Sequence, residues 1–211
     1  MTQVVVVTGG GELSARATSM VEPDALVIAA DSGLDDALAA DIAPTVLVGD
    51  LDSISASGTM WAYAHDVQIE RHPEDKDATD TELALARAAA SGRDHLLLLG
   101  GPGDRLDHTL GTLAALGAAP MAGFVAIRAL LGDSELHVVH AGHSTTLPIP
   151  TGSPFSLIAL HGACRGITVV GARWPLADAD LPPGSARGIS NETIDATHIS
   201  IADGVLTVVI P

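Results

Sequence analysis

Short runs of β-branched residues and leucine recur through the first 132 residues of the chain. Most of these runs are apolar throughout rather than alternating, which is typical of strands that are buried on both faces. The runs lie at 4–7, 26–28, 46–48, 67–69, 96–99 and 125–131. Stretches rich in alanine and leucine separate them, and the clearest helices are predicted over 80–90 and 105–116. This alternation predicts an α/β domain over residues 1–132, with a mostly parallel sheet flanked by helices.

The hydrophobic pattern changes near residue 133. Strand-like runs at 136–140, 155–160, 167–170, 197–201 and 205–210 are separated by turn residues, and no helical period is visible. Strands at short, regular spacing are typical of an all-β sandwich. The pattern therefore predicts a second, smaller domain over residues 133–211, built as a β-sandwich.

The charge of the chain excludes several kinds of partner. Its 211 residues include 26 acidic and 10 basic ones, so the formal net charge is −16. Such an acidic chain is a poor candidate for nucleic acid, whose binding depends on neutralising phosphates, or for an anionic membrane. No apolar run reaches the ~18 residues of a membrane span, and the first apolar run is too short for a signal peptide. These features predict a soluble, cytoplasmic protein.

Aspartates follow several of the predicted strands. They are Asp31, Asp50, Asp52, Asp77, Asp80, Asp104 and Asp107. Because the carboxyl ends of parallel strands share one edge of the sheet, where ligand sites form, these side chains are expected to converge. If their segment is extended, Asp50 and Asp52 also point the same way. Any one of these aspartates could instead form a turn, and Asp77 or Thr79 could cap the helix that follows.

A cluster of carboxylates is stabilised by a bound cation. Two carboxylates about 4 Å apart repel each other by roughly 4 kcal/mol at an effective dielectric constant near 20. The cluster is tolerable where a divalent cation occupies it, or where some of the acids stay protonated. Ligation by oxygen alone favours Mg²⁺ over zinc, which normally takes histidine or cysteine ligands. The acids therefore predict a magnesium site at the edge of the sheet.

Groups suited to phosphate accompany the acids. The glycine-rich turn at 8–11 lets backbone N–H groups of residues such as Gly10 approach an anion, although a plain tight turn explains it equally well. Arg105 follows another glycine-rich turn and could grip a phosphate with two hydrogen bonds. No Gly-Lys-Ser/Thr sequence occurs, so a P-loop is excluded. If this chain uses ATP, metal and arginine must neutralise the triphosphate.

Motifs spread over nearly the whole chain resemble those of thiamine pyrophosphokinases, in the same order. In the first domain they are Ala30-Asp31-Ser32-Gly33, Gly49-Asp50-Leu51-Asp52-Ser53, Lys76-Asp77-Ala78-Thr79-Asp80 and Gly103-Asp104-Arg105-Leu106-Asp107-His108. In the second domain they are Gly171-Ala172-Arg173-Trp174-Pro175-Leu176 and Gly188-Ile189-Ser190-Asn191-Glu192. The family usually has glycine where Ser32 and Asp104 stand, and often phenylalanine where Leu51 stands. None of these departures removes a predicted metal ligand.

The resemblance implies transfer of pyrophosphate from ATP to the hydroxyl group of thiamine, giving thiamine diphosphate and AMP. It implies Asp50, Asp52 and Asp80 as ligands of Mg²⁺, with Asp77 and Arg105 as further catalytic residues. Together with Gly10 of the glycine-rich turn, the residues facing ATP would be Asp31, Thr79, Arg105, Asp107 and His108.

The resemblance also implies a thiamine site in the second domain. Trp174 would lie against the pyrimidine ring, with Ser190 and Asn191 nearby; the alternative is that Trp174 is a core residue of the sandwich. Family members are homodimers whose thiamine site combines the α/β domain of one subunit with the β domain of the other. The expected partners are therefore ATP, thiamine and a second copy of the chain.

Other interpretations stay open at this point. A related pyrophosphokinase could act on a pterin alcohol, and a nucleotide-binding regulator would need no turnover. Ser134, Asp195 and His198 resemble the triad of GDS-type serine esterases, although in that family the serine follows the first strand. That esterase hypothesis leaves the carboxylates at the sheet edge unexplained.

Three histidines lie close together in the sequence of the second domain. His137 and His140 belong to a strand-like run, and His143 follows a glycine turn. Their spacing predicts surface residues rather than a metal site.

Overall fold

The computed structural model describes residues 2–103 and 105–211, so the prediction for Asp104 lies outside the described residues. The backbone forms two compact units. The first consists of the chain through Leu116 together with Ala129–Asp133, and the second of Gly117–Arg128 together with Ser134–Pro211. A boundary at residue 132 would assign all of Gly117–Arg128 to the first domain, whereas in the structure this segment groups with the second unit.

The first unit alternates strands and helices. Its elements are β1 (Gln3–Thr8), α1 (Ala15–Ser19), β2 (Leu26–Ala30), α2 (Gly33–Ala39), β3 (Val46–Gly49), α3 (Ala56–Ala64), β4 (Gln68–Arg71), α4 (Asp80–Ala89), β5 (His95–Gly100) and α5 (Leu106–Leu116). The strands are parallel and lie in the order β5-β1-β2-β3-β4, with β6 (Ala126–Leu131) beside β5. The predicted α/β class with a mostly parallel sheet is confirmed.

The central strands of this sheet are covered on both faces, which explains why their runs are apolar throughout. Val5 and Val7 of β1 pack with Ala17 of α1 and Ala37 of α2. Helix α4 contacts β1, β2 and β3. It covers the residues of these strands that alternate with Val5 and Val7 and therefore point to the other face of the sheet. Strand β4 has a neighbour on one side only and contains no buried residue, so the prediction of a buried strand at 67–69 is wrong.

The second unit is built from antiparallel strands. They are β7 (Ser134–His140), β8 (Ser144–Thr146), β9 (Pro154–Ile158), β10 (Cys164–Ala172), β11 (Leu176–Leu181), β12 (Asn191–Ser200) and β13 (Val205–Ile210), after a 3₁₀ helix over Ala119–Gly123. Hydrogen bonds join them in the order β7-β13-β9-β12-β10-β11, with β8 paired to β12. One hydrophobic cluster includes Phe155, Leu157 and Ile167. Its residues belong to β7 and to each strand from β9 through β13.

Strand β7 places polar side chains in the interior. His137 and His140 are buried, so the prediction of surface positions is wrong for both. All residues of β7 after the first are buried, and the strand is paired with β13 along its length. His137 has its Nδ1 atom 2.8 Å from Thr145 Oγ1 and its Nε2 atom 3.0 Å from Glu135 Oε1. These contacts satisfy both ring nitrogens within the protein.

None of the helices in the described part of the chain is long and apolar enough to cross a membrane.

Candidate active site

A cavity of about 480 Å³ lies at the carboxyl edge of the parallel sheet. From β1 the chain runs outward through β2, β3 and β4 and then returns to β5 on the other side of β1. Ligand sites in open α/β sheets form where the strand order reverses in this way. Of the residues predicted to face ATP or metal, those that line the cavity are Gly10, Asp31, Asp52, Thr79, Asp80, Arg105 and His108.

Three carboxylates converge beside this cavity. Oxygen atoms of Asp31, Asp50 and Asp52 all lie within 4.8 Å of one another. The Asp50 segment is not extended, because Leu51 has a left-handed φ of 70°, so the alternation of an extended strand does not align Asp50 with Asp52. A turn brings the two side chains together instead, and the backbone N–H of Asp52 donates to Asp50 Oδ1 at 3.3 Å.

Asp31 joins the cluster from the end of β2. Its φ is 46°, a left-handed conformation that is uncommon outside glycine, and its N–H donates to Val48 O at 2.9 Å. The residue is 9 % exposed, and its Oδ1 atom is buried without a hydrogen-bond partner among the described residues. Burial raises the pKa of Asp31, and the charges of Asp80, Asp50 and Asp52 raise it further, although a backbone hydrogen bond from Ser32 opposes them.

Lys76 provides a positive charge within the cluster. Its Nζ atom is 2.7 Å from Asp50 Oδ2 and 3.0 Å from Asp80 Oδ1. The hydrogen bond from Lys76 lowers the pKa of Asp50, and the same bond raises the pKa of Lys76. Lys76 is not among the predicted site residues. Lys76 precedes the first residue of α4, so no helical spacing links it to Asp80, and its contact with Asp50 spans 26 residues.

The residues of this cluster fit a divalent metal ion. Their donors are carboxylate oxygens, the ligands that hard dications take. The buried, unpartnered Oδ1 atom of Asp31 needs a positive partner, and the ammonium of Lys76 shows that the cluster accepts one. Asp50, Asp52 and Asp80 are the predicted ligands. The structure groups Asp31 with Asp50 and Asp52, whereas Asp80 meets this group through Lys76.

Two glycine-rich turns meet at the cavity. Gly10 has a φ of 137°, and the N–H of Gly103 donates to its carbonyl oxygen at 3.0 Å. A Cβ atom at Gly101 would lie 2.5 Å from the carbonyl oxygen of Gly10, so only glycine allows this approach. Apart from Pro102, the glycines of the turns after β1 and β5 therefore line the cavity with backbone, which a phosphate group can approach closely.

Arg105 is held by its neighbour Asp107. The guanidinium donates from Nη2 to Asp107 Oδ2 at 2.6 Å and from Nε to Asp107 Oδ1 at 3.2 Å. Both side chains are exposed, and Arg105 lines the cavity whereas Asp107 does not. Asp77 is also exposed and outside the cavity lining, and no hydrogen bond or ion pair among the described residues joins it to the cluster.

The N-terminus of α4 points Thr79 and Asp80 at the cavity. Thr79 is the N-cap, with Oγ1 accepting from the N–H of Glu82 and the Glu82 carboxylate accepting from the N–H of Thr79. Of the two predicted caps, Thr79 is therefore confirmed and Asp77 is not. This capping box fixes the first turn of the helix, in which Asp80 is the first residue.

The predicted thiamine residues lie in the second unit. Trp174 is 54 % exposed, so the alternative that it is a core residue is excluded. The Asn191 side chain accepts from the N–H of Trp174 at 3.1 Å and donates to its carbonyl oxygen at 2.8 Å. Arg173 lies over the indole ring, 4.9 Å from its centroid. Ser190 has a left-handed φ of 60° and is held through its N–H by Ser156.

The structure does not assemble the residues of the esterase hypothesis. The ring of His198 contacts Thr146 Oγ1 at 3.2 Å, and the Asp195 carboxylate accepts from the N–H of Ala196. Within the described part of the chain, no hydrogen bond links Ser134, Asp195 and His198 to one another. A serine nucleophile without its base has no catalytic activation.

Fold and site together define a class of enzyme. A parallel sheet with clustered carboxylates and glycine-rich turns at its reversal point, in one chain with an antiparallel β unit, is the arrangement of a metal-dependent, nucleotide-using transferase. The family model "Thiamin pyrophosphokinase, catalytic domain" matches residues 17–122, and "Thiamin pyrophosphokinase, vitamin B1 binding domain" matches residues 137–206. The chain belongs to the thiamine pyrophosphokinase family. It is an ATP-dependent enzyme that transfers pyrophosphate to thiamine, giving thiamine diphosphate and AMP.

Individual relatives agree with this assignment. A thiamine pyrophosphokinase of Bacillus subtilis is 26 % identical over 211 residues, which cover 99 % of this chain and 98 % of the relative. A crystal structure of thiamine pyrophosphokinase from Bacillus subtilis matches with a TM-score of 0.84 and 25 % identity over 99 % of this chain and 98 % of that one. The enzyme from Geobacillus thermodenitrificans matches with a TM-score of 0.78 and 26 % identity over 98 % and 96 % of the two chains. Enzymes of this family need ATP and a divalent metal ion.

Proposed function

We propose that the carboxylates at the sheet edge bind Mg²⁺ together with the phosphates of ATP. The ligands would be Asp50, Asp52 and Asp80, joined by Asp31. The observation that carries this proposal is the convergence of Asp31, Asp50 and Asp52, whose oxygen atoms lie within 4.8 Å of one another. Mg²⁺ is preferred because it takes a few carboxylate ligands and completes its shell with phosphate and water oxygens.

The reaction forms a bond between the thiamine hydroxyl oxygen and the β-phosphorus of ATP. It breaks the bond from that phosphorus to the oxygen that AMP keeps. The bound metal ion would neutralise phosphate charge as the reaction proceeds. The chain contributes mainly position and charge, as in other phosphoryl transfers. Arg105 would offset the charge that develops on the leaving AMP oxygen, and one carboxylate of the cluster would accept the hydroxyl proton.

The glycine-rich turns and Thr79 would hold the nucleotide. Gly10 exposes backbone groups toward the cavity, and Thr79 lines it at the N-terminus of α4, where the helix dipole favours an anion. His108 lines the same cavity, and Asp107 would act by holding the guanidinium of Arg105 in place. Asp77 would contribute through water, because it lies outside the cavity lining.

Thiamine would bind against the exposed indole ring of Trp174. A flat, electron-rich ring suits a heteroaromatic cation. Asn191 would act mainly by positioning Trp174, since its side chain is occupied by the backbone of that residue. Ser190 would contact the substrate. A pterin alcohol is the alternative acceptor, and an assay with both alcohols side by side, measuring AMP, distinguishes them.

The second unit would be a two-layered β-sandwich, and two copies of the chain would form a homodimer. Strands β9 and β12 are joined by only two residue pairs, so that β7, β13 and β9 can form one layer and β8, β12, β10 and β11 the other. Exposed apolar residues support a second copy as the partner; among them are Leu106, Leu110, Val170, Trp174, Ile189 and Ile194. The cytoplasm, where ATP is made and used, stays the predicted location.

Activity and metal ligation are tested together. Purified protein with thiamine, ATP and Mg²⁺ is expected to release AMP rather than ADP. Asp50→Ala or Asp80→Ala should lower turnover by about two orders of magnitude or more, because phosphate charge is no longer neutralised. Circular dichroism and the unfolding midpoint check that the fold is retained. A variant that folds normally and turns over at a near-normal rate would contradict the metal assignment.

A further inference from the structure

Lys76 is the only lysine in the chain, and its ammonium lies inside the carboxylate cluster. Its Nζ atom is 2.7 Å from Asp50 Oδ2 and 3.0 Å from Asp80 Oδ1, and the side chain is 14 % exposed. The residue also lines the cavity. The ammonium therefore holds the same carboxylates to which the proposed function assigns a metal ion.

An ammonium and a dication cannot hold these oxygens together. Mg²⁺ binds its oxygen ligands at about 2.1 Å and tolerates little departure from its preferred geometry. A second cation at hydrogen-bond distance from the same oxygens would be repelled strongly in a partly buried site, where salt and water screen poorly. Lys76 belongs to the segment between β4 and α4, outside any helix or strand, so it can withdraw without disrupting an element.

We propose that Lys76 occupies the metal position until the metal ion enters, and that it competes with the ion for Asp50 and Asp80. This inference rests on the metal site of the proposed function. It adds that the ammonium of Lys76 occupies this site before the metal ion does. The ammonium keeps the carboxylates together before loading and lowers their affinity for a free dication. Lys76 is thus a positioning residue that sets how tightly the metal binds before the nucleotide arrives.

Binding of Mn²⁺ to the full chain without nucleotide, measured by electron paramagnetic resonance, tests this inference. Lys76→Gln removes the competing charge and is expected to bind Mn²⁺ about tenfold more tightly than the wild type. Without metal its unfolding midpoint should fall, because the carboxylates lose their counter-ion, and saturating Mn²⁺ should restore it. Lys76→Arg keeps the charge and is expected to bind Mn²⁺ no more tightly than the wild type.

Arg87→Gln is the charge-matched control. Arg87 lies on α4 and pairs with Glu70 at 2.7 Å rather than with the cluster, so its removal should leave Mn²⁺ affinity within about twofold of the wild type. Unchanged or weaker Mn²⁺ binding by Lys76→Gln overturns the inference. An equal gain in Arg87→Gln also overturns it, because the effect would then be one of overall charge.

The metal site itself is tested separately with Asp80→Asn. If this variant loses Mn²⁺ while Lys76→Gln matches the wild type, the proposed metal site stands and only the inference about Lys76 fails. If Asp80→Asn binds Mn²⁺ as tightly as the wild type, the proposed site fails, and the inference fails with it. If the wild type binds no Mn²⁺ without nucleotide, binding gained by Lys76→Gln supports competition, and continued lack of binding overturns it.

Discussion

Glu135 is a fully buried carboxylate on β7 whose charge is held by two neighbours. Its Oε1 atom accepts hydrogen bonds from Arg128 Nε at 2.9 Å and from Arg128 Nη2 at 2.6 Å. The same oxygen lies 3.0 Å from His137 Nε2. Burial raises the pKa of Glu135, but the hydrogen bonds from His137 and Arg128 and the charge of Arg128 outweigh burial. The resulting pKa is about 2, below the ordinary value of 4.5. Ionised Glu135 therefore stabilises the folded state.

This stabilisation depends on pH. It is fully present above the unfolded-state pKa of 4.5 and is lost as the pH falls toward the folded-state pKa of about 2. The difference corresponds to about 3 kcal/mol, and breaking a buried ion pair costs a similar amount. Glu135→Gln should therefore lower the free energy of unfolding by about 3 kcal/mol at pH 7. Urea unfolding of the wild type and of Glu135→Gln, from pH 7 to pH 3, measures this difference in the free energy of unfolding.

The difference between wild type and Glu135→Gln is the informative quantity, because many other acids titrate in the same range. That difference should narrow steadily below pH 4.5, because Glu135 takes up a proton in the unfolded wild type while it is still ionised in the folded protein. A gap in unfolding free energy that stays constant down to pH 3 would show that the charge of Glu135 does not stabilise the fold.

Individual acids of the site could be located from the sequence, because each follows an apolar run that ends at the sheet edge. How Asp50 and Asp52 approach each other could not, since Leu51 adopts a left-handed φ without any local sequence signal. The sequence also gives no sign that Asp31, which has a left-handed φ as well, joins these two carboxylates. The contact of Lys76 with Asp50 joins positions 26 residues apart, which no local pattern reveals.

The start of helix α4 affects both the stability of the helix and the position of Asp80 in the carboxylate cluster. Its capping box satisfies two backbone N–H groups at the helix start, those of Thr79 and Glu82. Thr79→Ala removes the hydroxyl acceptor and should lower the free energy of unfolding by about 1 kcal/mol. Thr79→Ser and Glu82→Gln keep the box and should each stay within a few tenths of a kcal/mol of the wild type. Urea unfolding midpoints provide the measurement.

The comparison of Thr79→Ala with Thr79→Ser separates the hydrogen bond from the loss of a methyl group. Equal unfolding midpoints for these two variants would mean that the cap does not stabilise α4. Because Asp80 is the first residue of the helix, a frayed first turn should also weaken Mn²⁺ binding in Thr79→Ala more than in Thr79→Ser.

Most strands could be predicted because long apolar runs report burial on both faces. The prediction was wrong at β4, a strand at the sheet edge, where Val67 and Ile69 pack against one side only and Gln68 between them is exposed. Strand β11 was missed because its sequence LADADL alternates alanine and aspartate, which have low strand propensity. The short helices α1 and α2 contain five and seven residues, too few for a helical period to be visible.

The whole chain carries a net charge of −16, yet several large apolar side chains are exposed on each unit. On α5 they are Leu106 and Leu110, one helical turn apart, and on the second unit Trp174 and Ile194 are more than half exposed. Exposed apolar groups of this kind mark interaction surfaces. The proposed homodimer would bury such groups and would combine the cavity of one subunit with Trp174 of its partner.

A shared site can be tested by subunit complementation. Asp80→Ala disables the first unit and Trp174→Ala the second, so each homodimer should have little activity when thiamine is limiting. In a heterodimer with shared sites, one site carries both lesions and the other carries neither. Heterodimers purified through two different affinity tags should then recover about half of the wild-type turnover per dimer, because one of the two sites is intact. If each site lies within one subunit, every site keeps one lesion, and mixing restores nothing.

The matched control combines Asp50→Ala with Asp80→Ala, two lesions in the same carboxylate cluster. A heterodimer of these variants leaves both sites damaged whether or not the sites are shared, so it should stay inactive. Recovery in this control would point to exchange of tags or contamination rather than complementation. Sedimentation velocity on each preparation checks that the species assayed is a dimer. Recovery confined to the Asp80→Ala and Trp174→Ala pair is therefore explained only by a site that two subunits build together.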